Sequence, residues 1–257
     1  MGQQTSMFEH LPFATDQVIG SRARIGLVVL STDYTIEHEM RALINLPGVD
    51  VFHARIANSP NISPDTLRAM GPLITSTAEL ILPGDKVDVL AYACTSASIV
   101  LGTETVAKNL HAAKPEAKTT NPAFAAFHAF AALRAKRIAV LTPYTDDVNA
   151  SLVDYIQEHG PQVTAITSFH FANDNDMARI PPEAIVSAAK EADRDDADAL
   201  FISCTAIRAV DVVDEIEQAL NKPVVCANQA LFWESVRTTG YDAPINGYGK
   251  LLKMELS

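Results

Sequence analysis

DVLAYACT at residues 88–95 and DALFISCT at residues 198–205 are the stretches on which the reading of this chain turns. Each has an aspartate, a short run that is mostly apolar, then a cysteine and a threonine. The run is of strand length and is followed by a helix-like segment. A second pair, RIGLVVL from Arg24 and RIAVLT from Arg137, opens two further strand-like runs. The pairs are offset by 110 and 113 residues. An aspartate before an apolar strand is common, so neither match alone says much. Two anchors in the same order, at nearly one offset and on the same kind of element, indicate an internal duplication.

Reading outward from these anchors, strands and helices alternate. Residues 24–32 read as a buried strand, and 33–46 as a helix with Glu37, His38 and Glu39 towards solvent. Residues 49–56 form a second strand. A helix over 63–82 has Ser63 as its cap and Pro64 at its first position. A third strand over 86–96 runs into a turn, with a helix over 98–111 behind it. In the second half Asn121-Pro122 starts a helix to 134. Strands over 137–145, 163–169, 197–208 and 222–230 then alternate with helices over 148–159, 182–192, 210–220 and 231–239. This is an α/β pattern, with parallel sheet covered on both faces. Duplication predicts two Rossmann-like parallel-sheet halves related by a pseudo-twofold axis, with the active site in the cleft between them. Residues 1–120 plus about 232–257 would form the half with the Cys94 loop, and 121–231 the half with the Cys204 loop.

The chain of 257 residues is 48% apolar, enough for a full core, and its formal net charge is −11. An acidic surface without Lys/Arg runs argues against nucleic acid as a partner. No apolar stretch approaches the ~18 residues of a membrane span, so no membrane partner is expected. The start, MGQQTSMFEHLPF, lacks the basic end and apolar run of a signal peptide. Gly2 and Ser6 fit the loose N-myristoylation pattern, but no polybasic second anchor follows. Three cysteines, an odd number, indicate free thiols and a reducing compartment, hence a cytoplasmic protein.

Ligands of parallel α/β sheets bind beyond the carboxyl ends of the strands. Cys94 and Cys204 each sit at such an end, ahead of a predicted helix, whose N-terminus would lower a thiol pKa. Small polar neighbours, Thr95, Ser96 and Ser98 in one loop and Thr205 in the other, leave backbone N–H groups open to a carboxylate. The turns over 94–96 and 204–206, the second ending at Ala206, are the expected grip, with Arg208 close by. A lone cysteine on an apolar strand is usually inert core; a matched pair is not explained that way. Cys226 has no matched context and reads as core. No G-x-G-x-x-G, P-loop or G-x-S-x-G occurs, so no nucleotide cofactor or hydrolase elbow is expected. The seven histidines show no metal-ligand spacing, so neither metal nor organic cofactor is expected. His128 and His170 read as surface or satisfied core. Phe124, Phe127 and Phe130 have the spacing of a helix core stripe.

CTSAS at Cys94 and SCTAIR at Cys204 resemble the two cysteine loops of the aspartate/glutamate racemase superfamily. LSTDYTIE, TNPAFAAFHAFAAL, LTPYTDDV and CANQALFWESVRTTG narrow the resemblance, which runs from about Arg24 to Gly240, to one branch. That branch holds maleate cis–trans isomerase, arylmalonate decarboxylase and the ectoine-utilisation proteins. The resemblance implies Cys94 and Cys204 as catalytic cysteines, Tyr144 as a substrate contact, and Asn173 or Asn175 as a second contact. It also implies a homo-oligomer, dimer or tetramer. Asp33 stands where maleate isomerases typically carry an asparagine that contacts a substrate carboxylate. An ionised Asp33 would repel a dicarboxylate unless protonated or turned away. Decarboxylases of the branch lack the first cysteine, so Cys94 argues against decarboxylation. Three functions remain open: a cofactor-independent two-cysteine isomerase acting on a small carboxylate or amino-acid-derived substrate, an amino-acid racemase, and a non-catalytic small-carboxylate binder.

Overall fold

The aspartate of each duplicated stretch turns out to have a structural job. In the computed structural model, which describes residues 10–16 and 19–256, β1 (Ala23–Leu30) lies beside β3 (Val89–Ala93). The Asp88 carboxylate accepts the Arg24 N–H at 2.8 Å, while the Asp88 N–H donates to the Arg24 carbonyl. The second half repeats this between β5 (Arg137–Thr142) and β7 (Ala199–Ile202). There Asp198 accepts the Arg137 N–H at 2.9 Å and donates its own N–H to the Arg137 carbonyl. The two sequence anchors of each half are therefore neighbours in space, stapled at the strand start.

With β2 (Val49–Ile56), β4 (Lys118–Thr120), β6 (Gln162–Ser168) and β8 (Val224–Cys226), they form two four-stranded parallel sheets. The orders are β2-β1-β3-β4 and β6-β5-β7-β8, one plan used twice. The α/β architecture in two similar halves is as expected. The inner strands β3 and β7 are buried along their whole length, as a sheet with helices on both faces requires. β4 was not anticipated, because three residues are too few for a periodic signal. The Gly2–Ser6 pattern lies outside the described residues.

The helices are α1 (Ile36–Leu43), α2 (Pro64–Arg68), α3 (Ile74–Ala78), α4 (Thr95–Leu101), α5 (Thr103–Ala113), α6 (Pro122–Leu133), α7 (Asp146–His159), α8 (Asp174–Met177), α9 (Pro182–Ala192), α10 (Val213–Leu220) and α11 (Ala227–Thr238). Ser63 and Asn121 cap α2 and α6, each followed by proline at the first helical position. The helix expected over 63–82 is broken near Pro72, where a 3₁₀ turn separates α2 from α3. The one expected over 98–111 begins at Thr95 and breaks at Gly102, which takes φ +83°. The final strand is shorter than expected, since Cys226 already caps α11. α11 packs against β1, β3 and β4 of the first sheet, and α6 packs against α11 and β8. Among the described residues no helix is long and apolar enough to cross a membrane.

One expectation on α1 is overturned. Glu39 does not face solvent: it shares the buried stripe of Ile36, Met40 and Leu43, at helical spacing. A carboxylate there needs partners, and the second half supplies them. The Val210 N–H donates to Oε1 at 2.9 Å and Asn228 Nδ2 to Oε2 at 2.6 Å. Burial pushes the Glu39 carboxyl up to about 8, with the charges of Asp211 and Asp33 adding to the rise. The folded protein thus holds this proton more tightly than the unfolded chain. Its contribution to stability is full below the ordinary value of 4.5 and declines as pH rises through about 8. A Glu39→Gln variant should therefore lose stability less steeply than the parent between about pH 5 and pH 9, measured by urea unfolding. Parallel curves for the two proteins would show that Glu39 does not titrate in this range.

Candidate active site

β3 and β7 deliver Cys94 and Cys204 into one cleft, each thiol at the carboxyl end of its strand. The cleft is narrow, with about 10 Å³ open to the centre of a water-sized sphere. Cys94, Thr95 and Ser96 line it from the first half, and Tyr144, Asp174, Cys204 and Thr205 from the second. Leu30, Ile62, Leu67 and Met70 close its apolar side. Hydrogen bonds tie the walls together across the halves. Thr205 Oγ1 donates to the Ala93 carbonyl at 3.4 Å, and the Ile62 N–H to the Ala172 carbonyl at 2.9 Å. Thr32 Oγ1 donates to Asp174 Oδ2, and the Asp174 N–H donates to the Pro60 carbonyl at 2.8 Å.

The two cysteines are not held alike. Cys94 caps α4 with extended backbone, its sulfur 3.7 Å from Ser96 Oγ and within hydrogen-bond reach of the Ala97 N–H. Cys204 has φ +131°, a region rare for residues with a side chain. Such a conformation costs ~1–3 kcal/mol and clusters at functional sites. Its sulfur accepts the Ala206 N–H at 3.3 Å and a hydrogen bond from the Tyr144 hydroxyl. No helix begins behind it: the chain turns, passes a 3₁₀ turn at Val210–Val212, and only then enters α10. That corrects the expectation of two matching helix N-termini. Nor are the thiols acidic. Burial pushes Cys94 up to about 12 and Cys204 well above its ordinary value, and these hydrogen bonds only partly offset it. The nearby Asp174 charge raises both further. Desolvation beats the helix terminus here because both sulfurs are buried.

Of the remaining candidate residues, Thr95, Ser96, Tyr144 and Thr205 line the cleft. The buried Thr95 Oγ1 has no hydrogen-bond partner. Burial also raises the Tyr144 hydroxyl well above its ordinary value, so it stays a proton donor. Asp33, Asn173 and Ala206 do not line the cleft. Asp33 sits just behind it: Oδ1 accepts the Thr35 and Ile36 N–H groups at 2.7 and 2.9 Å, starting α1. Its buried Oδ2 has no partner. Burial, opposed by those two N–H groups, raises its carboxyl to about 6. Asn173 caps α8, accepting the Asn175 N–H at 3.0 Å, and bridges to Asn61 of the first half. Ala206 holds Cys204 through its N–H and Thr35 through its carbonyl.

Sequence reasoning missed Asp174 and Asn58, both in the lining. FANDND alternates amide and carboxylate, so its register alone decides which side chain faces inward, and no periodicity fixes register in a loop. Cys226, Arg208, His128 and His170 do not line the cleft. His128 Nδ1 pairs with the buried Glu234 at 2.9 Å, and Arg208 Nη2 donates to the Ile180 carbonyl at 3.1 Å. Among the described residues no three His, Cys, Asp or Glu side chains are grouped to hold a metal ion.

The comparisons with known proteins agree with this geometry. A maleate isomerase of Nocardia farcinica is 29% identical over 242 residues, 90% of this chain and 96% of that protein. An arylmalonate decarboxylase of Bordetella bronchiseptica is 32% identical over 135 residues, 51% of this chain and 56% of that protein. Among solved structures, the Nocardia farcinica maleate cis–trans isomerase matches with TM-score 0.83 and 28% identity, covering 90% of this chain and 98% of that one. That structure is of a cysteine-to-serine variant with a covalently bound succinylcysteine intermediate. An arylmalonate decarboxylase structure, at 24% identity and TM-score 0.74, covering 90% of this chain and 100% of that one, shares the fold. The arylmalonate decarboxylase family model matches residues 38–252, so the chain belongs to that family, within the aspartate/glutamate racemase-like superfamily.

Proposed function

We propose that this protein is a cofactor-independent cis–trans isomerase of a small unsaturated carboxylate, working through Cys94 and Cys204. The observation that carries the reading is the pair of thiols at equivalent strand ends on one cleft. The succinylcysteine in the Nocardia relative shows that a thiol of that enzyme adds to its substrate. Cys94 favours this reading over decarboxylation, given the resemblance. Three free cysteines suit a reducing compartment such as the cytoplasm. The resemblance carries over a homo-oligomer and, from the ectoine-utilisation side of the branch, an amino-acid-derived substrate.

The chemistry follows from what the walls offer. A substrate carboxylate meets the Thr95 and Ser96 N–H groups and the Thr95 hydroxyl. One cysteine, its proton already released to solvent, bonds as the thiolate sulfur to an alkene carbon, and it is a thiolate again when that bond breaks. The π pair shifts to the neighbouring carbon, in conjugation with the carboxylate, and the other thiol supplies a proton there. The former double bond is now single and rotates. The second sulfur then takes the proton back, the double bond re-forms in the trans geometry, and the carbon–sulfur bond breaks. Tyr144, hydrogen-bonded to Cys204, holds that sulfur on line and stabilises it while it carries charge.

Incubation with maleate and related cis-enoates in D₂O, followed by NMR, tests the reaction type. Appearance of the trans isomer is expected; deuterium entering the α-carbon of an amino acid, with every alkene untouched, would replace this reading with racemisation. Cys94→Ala and Cys204→Ala should each fold but lose at least ~10²–10⁴-fold in turnover, whereas Cys226→Ala keeps it. Full activity in either of the first two variants would refute the two-thiol scheme. The raised thiols set a pH dependence as well. Only the thiolate reacts, and Cys94 titrates near 12, so neutral pH lies far down the rising limb. Alkylation of Cys94 by iodoacetamide, followed by peptide mass spectrometry, should keep accelerating past about pH 9 instead of levelling near the usual ~8.5.

A further inference from the structure

The charge inside the cleft does not suit a dianion. Asp174 lines it, and Asp33 stands directly behind, close enough for its charge to raise the Cys94 thiol. No Arg, Lys or His is in the lining. Each carboxyl has one oxygen in structural use: Asp174 Oδ2 takes the Thr32 hydroxyl, and Asp33 Oδ1 starts α1. The Thr205 side chain also lies close enough to the Asp33 carboxyl to help lower it. Asp33 Oδ2 is left buried and unpartnered in a residue only 3% exposed. An unpaired carboxylate oxygen in a dry site is costly unless a proton or a ligand answers it. Asp174 lines the cleft from the second half; from the first, the equally buried Thr95 Oγ1 offers an unpartnered hydroxyl. The cleft therefore offers a hydroxyl donor from one half and a carboxyl acceptor from the other.

We propose that the substrate is a small cis-enoate with one carboxylate, held at Thr95 and Ser96, and a hydrogen-bond-donating nitrogen, an ammonium or a primary amide, held by Asp174 with the Asp33 charge behind it. The alkene in this assignment rests on the isomerase reading; the two polar ends rest on the cleft alone. A second carboxylate would meet two carboxyls that already repel one another, since the Asp174 charge helps to raise Asp33. A cationic or amide nitrogen relieves that repulsion and pairs the Asp174 oxygen that Thr32 leaves free. With Asp33 at about 6, it is ionised at the pH chosen for the test.

Saturated ligands separate binding from chemistry. Succinate, 4-aminobutanoate and succinamate would be titrated calorimetrically into the full-length protein at pH 8. We expect one or both nitrogen ligands to bind at least about tenfold tighter than succinate, a difference of ~1.4 kcal/mol. Asp174→Asn and Asp33→Asn, each keeping one oxygen for its structural hydrogen bonds, should shrink or reverse the preference. Succinate binding as tightly as the nitrogen ligands, a preference unchanged in both variants, or no binding of either nitrogen ligand would each overturn the proposal. Turnover of maleate and maleamate, run in parallel, keeps the two readings apart. A nitrogen preference in binding with no alkene isomerised would refute the isomerase and leave the ligand assignment standing. Isomerisation of maleate with succinate as the tightest ligand would do the opposite.

Discussion

Register is the constraint on which the rest of this structure depends. In a parallel sheet a slip of one residue turns every side chain to the other face. The Asp88–Arg24 and Asp198–Arg137 pairings fix β3 against β1 and β7 against β5 from their first residues. Five residues on from Val89, and five on from Ala199, each inner strand has ended and its cysteine emerges. Both cysteines therefore stand at the same distance along the chain from the start of their strands. The cleft between the halves is the place where two such exits meet. The aspartate is thus as much part of the site as the cysteine is, although it lies at the opposite end of the strand.

A second consequence of placing the site between two sheets is dryness. Thiols, a phenol and carboxyls that would each be unremarkable in water are all pushed towards their neutral forms. The common cause is desolvation, and the local hydrogen bonds oppose it without cancelling it. For addition to an alkene this has a clear use. A thiolate formed in a dry cleft is poorly solvated and correspondingly reactive. The same dryness makes every unpaired oxygen expensive. Thr95 Oγ1, on the cleft wall, therefore marks a place for a ligand better than any exposed polar group could.

What could be read from the sequence follows from which features are periodic or repeated. β2 and α9 have their expected limits because apolar patterning spans them whole. The two halves and the two catalytic candidates were legible through repetition. Glu39 was misjudged because polarity was taken to mean exposure; its place on the 36–39–40–43 stripe was the better guide. The breaks at Pro72 and Gly102 were signalled by residue type, and the helical pattern on either side concealed them. Asp174 and Asn58 could not be placed: one opens the four-residue α8, the other lies in a loop, and both are set by hydrogen bonds to Thr32 that no pattern signals. The low thiol pKa expected from helix dipoles failed for another reason: burial is a property of the assembled fold, and no local segment encodes it.

Duplication gives the two halves one plan, yet the chemistry asks their cysteines to do different things, and the structure departs from symmetry at that point. Cys94 stands on relaxed extended backbone at the head of a helix, beside a serine hydroxyl and backbone N–H groups. Cys204 stands on strained backbone, with no helix behind it, under a tyrosine hydroxyl. The strain is held by neighbours from both halves: Ala206 is tied through its carbonyl to Thr35, and the Thr205 carbonyl to Asn228, itself bound to Glu39. A buried network of this kind can hold a residue where it would not otherwise stay. It also makes the sulfur's position depend on the two halves being docked. The Glu39 network that joins the halves is in this sense continuous with the active site, so a change in how the halves sit would reach Cys204 before it reached Cys94.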